Sequence, residues 1–423
     1  MNIYELSKLI DADILDKYYK IKVSNFKIDT RNLKKDDVFI AINDGYKYLD
    51  EIKKCKAIIV ENDYKNTKIP VLKVNSTKEA LKRIAFYYRL KYQGKVIAIT
   101  GSNGKTTTKE LLSHVLKKKF KVFKSYKNMN NEIGVSLNLL SINNSKYAVF
   151  ELGMNHKGEI SELSKLVKPD LAIITNIGTA HIGNLGSKKK IYEAKMEILD
   201  GMPEKKLFVN GNDDFLKMSS DAIKVTLEND LFKIKNIYEY SDYITFDLKI
   251  DRTYNIKYKI PSKVQLSNVA LVIYVALYLG IKPSKIALAL NSFKPIENRM
   301  EIIKLKDKIV INDSYNSNYE SLIAGLNSLN NYCLDKICVI GAILELGDQK
   351  KEIYRKIALN LNENYEYFFI DANIKTKKAT YFDNVDEFIN YYKNNIEKFK
   401  NKVIYIKGSN KVNLIKFVKE LTM

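Results

Sequence analysis

The run Thr100-Gly101-Ser102-Asn103-Gly104-Lys105-Thr106-Thr107 gathers two glycines, a lysine and three threonine hydroxyls into one short stretch. It follows an apolar, β-rich run, Val96-Ile97-Ala98-Ile99-Thr100. Helical spacing then takes over from Thr106 to Lys118, with Leu111, Leu112, Val115 and Leu116 on one face. Strand, glycine-rich turn and helix in that order make a phosphate-binding loop. The glycines let the backbone N–H groups of Gly101 to Gly104 approach phosphate oxygens, and the helix N-terminus adds partial positive charge. Lys105 is placed to neutralise β- and γ-phosphates, and the Thr106 hydroxyl, with Thr107 beside it, to ligate Mg²⁺. The longer GxxxxGK[ST] form would need glycine where Ile99 stands, so this is the shorter TGxxGKT form of a nucleotide loop. ATP with Mg²⁺ is the expected ligand.

Other residues could serve a charged nucleotide. Glu151 ends the buried run Tyr147–Leu152, where a carboxylate can hold Mg²⁺. A solvent-facing acid at a strand end is the alternative, but a carboxylate on a central strand is costly without a partner. His181 follows the run Leu171–Ile177, at the carboxyl end of a strand, where open α/β sheets place ligands. A structural histidine is its alternative. His156, in the turn after Met154, is placed near substrate with a loop role as the alternative. His114 lies mid-helix and reads as structural. Lys195, between Glu193 and Glu197 on a helical stretch, reads on spacing alone as a solvated lysine.

Three α/β units position these residues. Residues 1–92 hold short apolar runs (38–42, 57–60, 71–74) and a helix near Thr77–Tyr92. Residues 93–295 alternate strands and helices as a doubly wound parallel sheet does. Within them, 205–260 alternate more like antiparallel strands. A buried helix at Val269–Ile281 then precedes Pro283 and Pro295, which read as a linker. Residues 296–423 resume the alternation (309–311, 337–340, 367–370, 403–406) as a second, Rossmann-like doubly wound unit. Three units around one nucleotide imply opening and closing, with hinges expected near Tyr92 and Phe293.

With 423 residues, 46% hydrophobic and 28% charged, the chain has the composition of a folded multidomain protein. No run reaches the ~18 apolar residues of a membrane span, and the N-terminus lacks a signal-peptide pattern. Cys55, Cys333 and Cys338 fit no disulfide framework, so a reducing cytoplasm is expected. Three histidines exclude a His-rich metal cage. The net charge of +22 could signal nucleic acid. However, six of the 71 basic residues are Arg and the lysines spread along the whole chain, as a codon bias towards A and T would leave them. Nucleic-acid readers lean on Arg, so no nucleic-acid partner is expected and an acidic small-molecule substrate fits the charge.

Thr100–Glu110 (TGSNGKTTTKE) resembles the ATP loop of the Mur ligases, the amide-forming enzymes of peptidoglycan precursor synthesis. Further segments follow in that family's order: Asn128–Gly134, Glu151–Ile160, Thr175–Gly183, Glu193–Ile198, Asn298–Glu301 and Asp313–Asn318. The likeness runs from Asp29-Thr30-Arg31 to Lys407-Gly408-Ser409. The NxNNxIG and ELGMNHxGEI segments are most similar to the member that acts last in the series. That member joins D-alanyl-D-alanine to UDP-N-acetylmuramoyl-tripeptide through an acyl phosphate. The resemblance implies a three-domain cytoplasmic enzyme, acting as a monomer on those two substrates with ATP and two Mg²⁺ ions. It implies that Lys105, Glu151, His181 and Lys195 are catalytic. Thr106, Glu151, His181 and Lys195 would serve the metals, Lys195 as a CO₂-derived carbamate. Asn268, Arg299 and Asp313 would join the phosphate loop in holding the nucleotide, Asp313 on its ribose. Asn130, Asn131, Asn155 and His156 would meet substrate, and Thr30 and Arg31 its UDP end.

The chain departs from the family at several positions. Ser262-Lys263-Val264-Gln265 stands where a Gly-x-His-Asn segment is usual, leaving only Asn268 in place. Asn312 and Ala342 replace aspartates, Tyr319 and Ser136 replace prolines, and Asp44-Gly45-Tyr46 lacks a histidine. Another member of the family, such as the third-residue ligase, or a folylpolyglutamate synthase-like ligase is the alternative within this chemistry. A P-loop nucleic-acid NTPase and a non-catalytic binding relative are the alternatives outside it.

Overall fold

The computed structural model describes the chain except residues 14–17, 65–67, 261, 375, 377, 378 and 423. The described residues form four sheets. The first holds β1 (Asn25–Lys27), β2 (Asp37–Ile40), β3 (Ala57–Val60) and β4 (Val71–Lys73), parallel and in chain order. Successive side chains point to opposite faces. Val38, Ile40, Ile59 and Leu72 therefore pack on helices Ile3–Ile10 and Thr77–Lys91, while Phe39, Ile58 and Val60 pack on Leu49, Ile52 and Ile69. The sequence reading missed β1, a three-residue strand with one buried side chain, Phe26.

The second sheet runs β10-β9-β8-β5-β7-β6, all parallel. Its strands are β5 (Lys95–Thr100), β6 (Val122–Lys124), β7 (Tyr147–Glu151), β8 (Leu171–Ile174), β9 (Leu207–Asn210) and β10 (Ala222–Val225). β5 is central, flanked on both sides, which is why its β-branched run has no polar member between Val96 and Ile99. Ile97, Ile99, Val149 and Ile173 face helices Lys105–Leu116 and Leu266–Tyr278. Ala98, Phe150, Ala172 and Ile174 face helices Glu132–Leu140, Glu159–Val167 and Lys188–Met196.

Two expectations are corrected here. β9 and β10 are parallel members of this sheet, and the antiparallel segment is confined to β11 (Lys233–Glu239), β12 (Ile244–Lys249) and β13 (Thr253–Tyr258). β10 misleads because it is an edge strand with adjacent Ile223 and Lys224 both exposed, so it lacks the continuous apolar run of a buried parallel strand. Pro283 is not part of a linker. It starts helix Pro283–Ser292 at a position where its missing N–H costs nothing.

The fourth sheet runs β14-β15-β19-β16-β17-β18. Its members are β14 (Glu301–Lys304), β15 (Lys308–Asp313), β16 (Asp335–Gly341), β17 (Glu366–Ile370), β18 (Ala379–Phe382) and β19 (Lys402–Lys407). All pairs are parallel except β14 with β15. An aromatic cluster of Phe368, Phe382, Phe388, Phe399 and Phe417 fills one face. Among the described residues no helix is long and apolar enough to cross a membrane.

Helix Glu159–Val167 has Gly158 as its N-cap, which offers no side chain to the free N–H groups. Glu197 supplies the cap from a distance. Its two carboxylate oxygens accept from Gly158 N at 2.9 Å, and Oε2 also accepts from Ser161 N at 3.3 Å. Glu197→Ala should lower stability by about 1–2 kcal/mol. Urea unfolding checks the loss, and amide exchange in the first turn of that helix should speed up with it.

Candidate active site

The phosphate loop leaves β5 at Gly101, whose φ of +148° and close approach to Thr175 exclude a Cβ. It ends at Gly104, φ +78°, where a Cβ would overlap the Asn268 amide. Asn268 thus lies against the loop from helix Leu266–Tyr278, its amide also donating to Gln265 Oε1 at 3.1 Å. The exit of β8 laces the rest. Asn103 N donates to Asn176 Oδ1 at 2.9 Å, and Thr175 Oγ1 to the Asn103 carbonyl at 2.6 Å. Gly178 N donates to Ser102 Oγ at 2.8 Å. Lys105 Nζ folds back onto the carbonyls of Gly101 (2.8 Å) and Ser102 (3.3 Å). Its surroundings lower its pKa through desolvation and the nearby Arg299 cation, against the opposing pull of Glu151.

Glu151 ends β7 almost completely buried, and both of its oxygens are engaged. Thr106 Oγ1 donates to Oε2 at 2.7 Å, and Asn130 Nδ2 to Oε1 at 2.8 Å. One carboxylate therefore joins the phosphate loop to the NxNNxIG loop. The Thr106 hydroxyl and Glu151 carboxylate are hard oxygen donors at the mouth of a phosphate cradle, a donor set that fits Mg²⁺. The neighbouring asparagines divide. Asn130 faces Glu151, whereas Asn131 caps helix Glu132–Leu140 by accepting from Gly134 N at 2.9 Å.

Sequence reasoning missed Lys109. Its ammonium is fully buried, donating to the carbonyls of Ser125 (2.9 Å) and Lys127 (2.5 Å) and lying 4.0 Å from Glu151. Its spacing of four from Lys105 puts it on the same helix face, the one signal that could have found it.

Lys195 is the reverse of the solvated lysine its spacing suggests. It is 1% exposed, and burial together with the Lys105 charge drives its pKa well down. No carboxylate lies within ion-pair reach of it, and no three His, Cys, Asp or Glu side chains gather as a metal site among the described residues. His181 caps the short helix Ile182–Leu185, and its Nδ1 lies 2.5 Å from Glu345 Oε2 of the C-terminal unit. Pairing with His181 holds the Glu345 carboxyl below its ordinary range, and the His156 charge adds to this. His156 itself is exposed. Asn155 is held locally, its N–H donating to Glu159 at 2.7 Å and its carbonyl accepting from Asn184 at 3.2 Å. His114 bonds Ser292 through Nε2 at 3.0 Å and packs on Phe293, away from the loop.

Arg299 reaches the same cluster from the C-terminal unit. Its guanidinium lies 4.0 Å from the Tyr315 ring centroid. The residues on either side of it, Asn298 and Met300, both have left-handed backbones, φ 60° and 50°. Asp313 holds that bend through Met300 N at 3.2 Å, and its other oxygen pairs with buried Lys407 at 2.6 Å. Asn312, where the family has aspartate, donates its amide to Asn298 Oδ1 (2.8 Å) and Glu301 Oε2 (3.1 Å). With Glu301 so close, an amide is the side chain that avoids two adjoining carboxylates.

The C-terminal unit also grips the loops directly. Glu320 accepts from Thr179 N at 3.0 Å and Thr179 Oγ1 at 2.7 Å and pairs with Lys188 at 2.9 Å. Asn318 Nδ2 donates to Asn103 Oδ1 at 2.8 Å. Neither contact was visible in the sequence, because each joins residues far apart in the chain. Thr30 and Arg31 stay apart from this cluster on the first unit. Arg31 forks onto Asp29 with its side chain 85% exposed.

Comparison with known proteins adds a second line of argument. The chain matches the Mur ligase middle domain over residues 99–276 and the Mur ligase glutamate ligase domain over 298–410. It is 32% identical over 357 residues to the UDP-N-acetylmuramoyl-tripeptide–D-alanyl-D-alanine ligase of Bacillus subtilis, covering 80% of this chain and 78% of that one. The solved structure of MurF from Acinetobacter baumannii superposes with a TM-score of 0.87 at 26% identity, covering 99% and 97% of the two chains. MurF from Thermotoga maritima, solved in complex with ADP, gives 0.83 at 26%, covering 94% and 96%.

Asn312→Asp would set a carboxylate against Glu301 and remove two donated hydrogen bonds. The expected cost is about 1–3 kcal/mol. A lowered melting temperature and weaker ATP binding, through a displaced Arg299, would report it.

Proposed function

This chain belongs to the Mur ligase family, and from that premise we propose that it adds D-alanyl-D-alanine to UDP-N-acetylmuramoyl-tripeptide at the expense of ATP, completing the cytoplasmic pentapeptide precursor. The observation that carries the reading is Glu151, bonded at once to Thr106 of the phosphate loop and Asn130 of the NxNNxIG loop. A ligase must bring a γ-phosphoryl group and an acceptor carboxylate to one point, and this side chain joins the two loops that would hold them.

A carboxylate is a poor electrophile, so the tripeptide carboxylate takes the γ-phosphoryl of ATP, giving an acyl phosphate and ADP. The free amine of D-alanyl-D-alanine attacks the acyl carbon, loses a proton, and phosphate leaves with the C–O bond. The protein's part is alignment and charge neutralisation. Lys105 and Arg299 face the phosphates, and the N–H groups of Gly101 to Gly104 cradle them. Thr106 and Glu151 would hold Mg²⁺, which supplies neutralisation between phosphate oxygens. Asn268 and Asp313 serve the nucleotide, Asp313 through its bond to the Arg299 bend. Asn130, Asn131, Asn155 and His156 face the acceptor peptide. Thr30 and Arg31 hold the UDP end on a first domain of residues 1–92, before an ATP domain of 93–295 and a C-terminal domain of 296–423.

Lys195 is carbamylated in this reading. Its burial favours the neutral amine, whose nitrogen would bond to the carbon of CO₂ and lose a proton to solvent, leaving a carbamate anion beside the Lys105 charge. With His181 it would then serve a second Mg²⁺. The enzyme acts as a cytoplasmic monomer, with no nucleic-acid partner.

Purified protein with ATP, Mg²⁺, the UDP-linked tripeptide and D-alanyl-D-alanine should release phosphate and yield the pentapeptide by mass. Release that needs only a single amino acid on a shorter acceptor would move the protein to a neighbouring ligase. Glu151→Gln should keep nucleotide binding and lower the ligase rate by about 10²-fold or more. Labelled bicarbonate should give a carbamate carbon resonance that Lys195→Ala abolishes.

A further inference from the structure

The loop after β8 meets the C-terminal unit along a seam in which two side chains stand out. His181 and Glu345 both have left-handed backbones, φ 64° and 61°. Histidine visits that conformation more readily than most residues, but glutamate does not, and at Glu345 it persists only where the surroundings impose it. The two face each other. Nδ1 of His181 is buried and lies 2.5 Å from Glu345 Oε2, an ion-pair contact out of line for a hydrogen bond, and no other group among the described residues bonds to it.

The backbone around the pair is clamped from both sides. Gly183 N donates to the Glu345 carbonyl at 2.8 Å, and Gln349 Nε2 donates to the Gly186 carbonyl at 2.7 Å. A Cβ on Gly183 would fall 2.5 Å from Gly347 N, so the two segments approach as only glycines can. The strain on both sides serves one contact, carboxylate to imidazole.

We infer that Glu345 is a positioning residue, which holds Nδ1 of His181 from the C-terminal unit and leaves Nε2 as the nitrogen available to the reaction. A carboxylate can only accept, so a neutral His181 ring keeps its hydrogen on Nδ1, towards Glu345, and its lone pair on Nε2. A histidine that serves a metal ion is oriented in this manner, by a partner on its other nitrogen. Here the partner comes from a different unit, so His181 is in register only when the two units are docked. The role of Nε2 rests on the ligase reading; the seam geometry does not.

The test uses the full chain labelled with ¹⁵N-histidine. With three histidines in the sequence, His181 is assigned by comparison with His181→Gln. In the unsubstituted protein the His181 ring should hold a single tautomer with hydrogen on Nδ1. Glu345→Gln, whose Oε1 still accepts, should keep that tautomer, whereas Glu345→Ala should release the ring to the Nε2–H form that free imidazole side chains favour. In steady-state assays Glu345→Ala should lower kcat by roughly 10–100-fold while the KM for ATP moves far less, with Glu345→Gln restoring much of the loss. A freely exchanging or Nε2–H ring in the unsubstituted protein overturns the inference without any variant having to fold. So does a Glu345→Ala protein with an unchanged His181 ring, or one that loses melting temperature and keeps its kcat. The ring spectra need no turnover, so an inactive ligase assay would sink the proposed function and leave this readout standing.

Discussion

Buried lysines that outnumber the carboxylates around them are the constraint around which the middle of this molecule is arranged. Lys109 lies 3.4 Å from Glu110 and 4.0 Å from Glu151, while Lys195 has no such partner among the described residues. Lys109 and Lys195 are shut away from solvent, Lys105 curls over the loop beside them, and Arg299 arrives from the C-terminal unit. Against these, Glu151 is the carboxylate at the centre, and it is bonded to neutral partners on both oxygens. Burying cations without counter-charge is expensive. The folded chain bears that cost because Lys109 is solvated by two backbone carbonyls and the pKa of Lys195 falls. A polyphosphate entering the loop supplies the missing negative charge, which makes nucleotide binding part of the stability of the domain as well as its activity.

How much of this was legible depended on the sequence distance over which each feature is determined. The phosphate loop, β5 and the helix after it are set by neighbours within a few residues, and they stand as read. Glu151 was visible for the same reason, as a lone acid closing an apolar strand. Lys109 was not, and Lys195 stood out only through the family resemblance, since helical periodicity cannot tell an exposed lysine from a buried one. Strand β10 was misread because, at the sheet edge, it leaves Ile223 and Lys224 exposed and has no continuous apolar run, and β9, a buried inner strand, was grouped with it. Asn131 adds a contact the motif did not reveal, a capping bond to the helix that follows, while its neighbour Asn130 bonds Glu151.

The seam between the middle and last units was invisible at the sequence level. Its contacts join Asn103 to Asn318, Thr179 to Glu320 and His181 to Glu345. No local pattern marks an acid on a C-terminal helix as the partner of a threonine beyond β8. These polar contacts touch the loops that hold Lys105 and His181, beside an apolar core in which Ile182 and Leu185 pack with Leu346 and Ile353. The phosphate site is tied to the seam by both. Asn312 belongs to the same logic. A departure that looks like a lost acid becomes intelligible once Glu301 is seen beside it.

The stacking of Arg299 on Tyr315 has a wider meaning in a chain with so strong a preference for lysine. Few arginines remain among its 71 basic residues. Those that do are mostly in places where a flat, forked cation is needed. Arg31 grips both oxygens of Asp29, Arg89 reaches the carbonyls of Val167 and Lys168 at a helix end, and Arg252 and Arg299 lie on tyrosine rings. A round ammonium could carry the charge but not the shape. The arginines of this chain thus serve shape as well as charge, and such residues are the places to begin when engineering or inhibiting a lysine-rich relative.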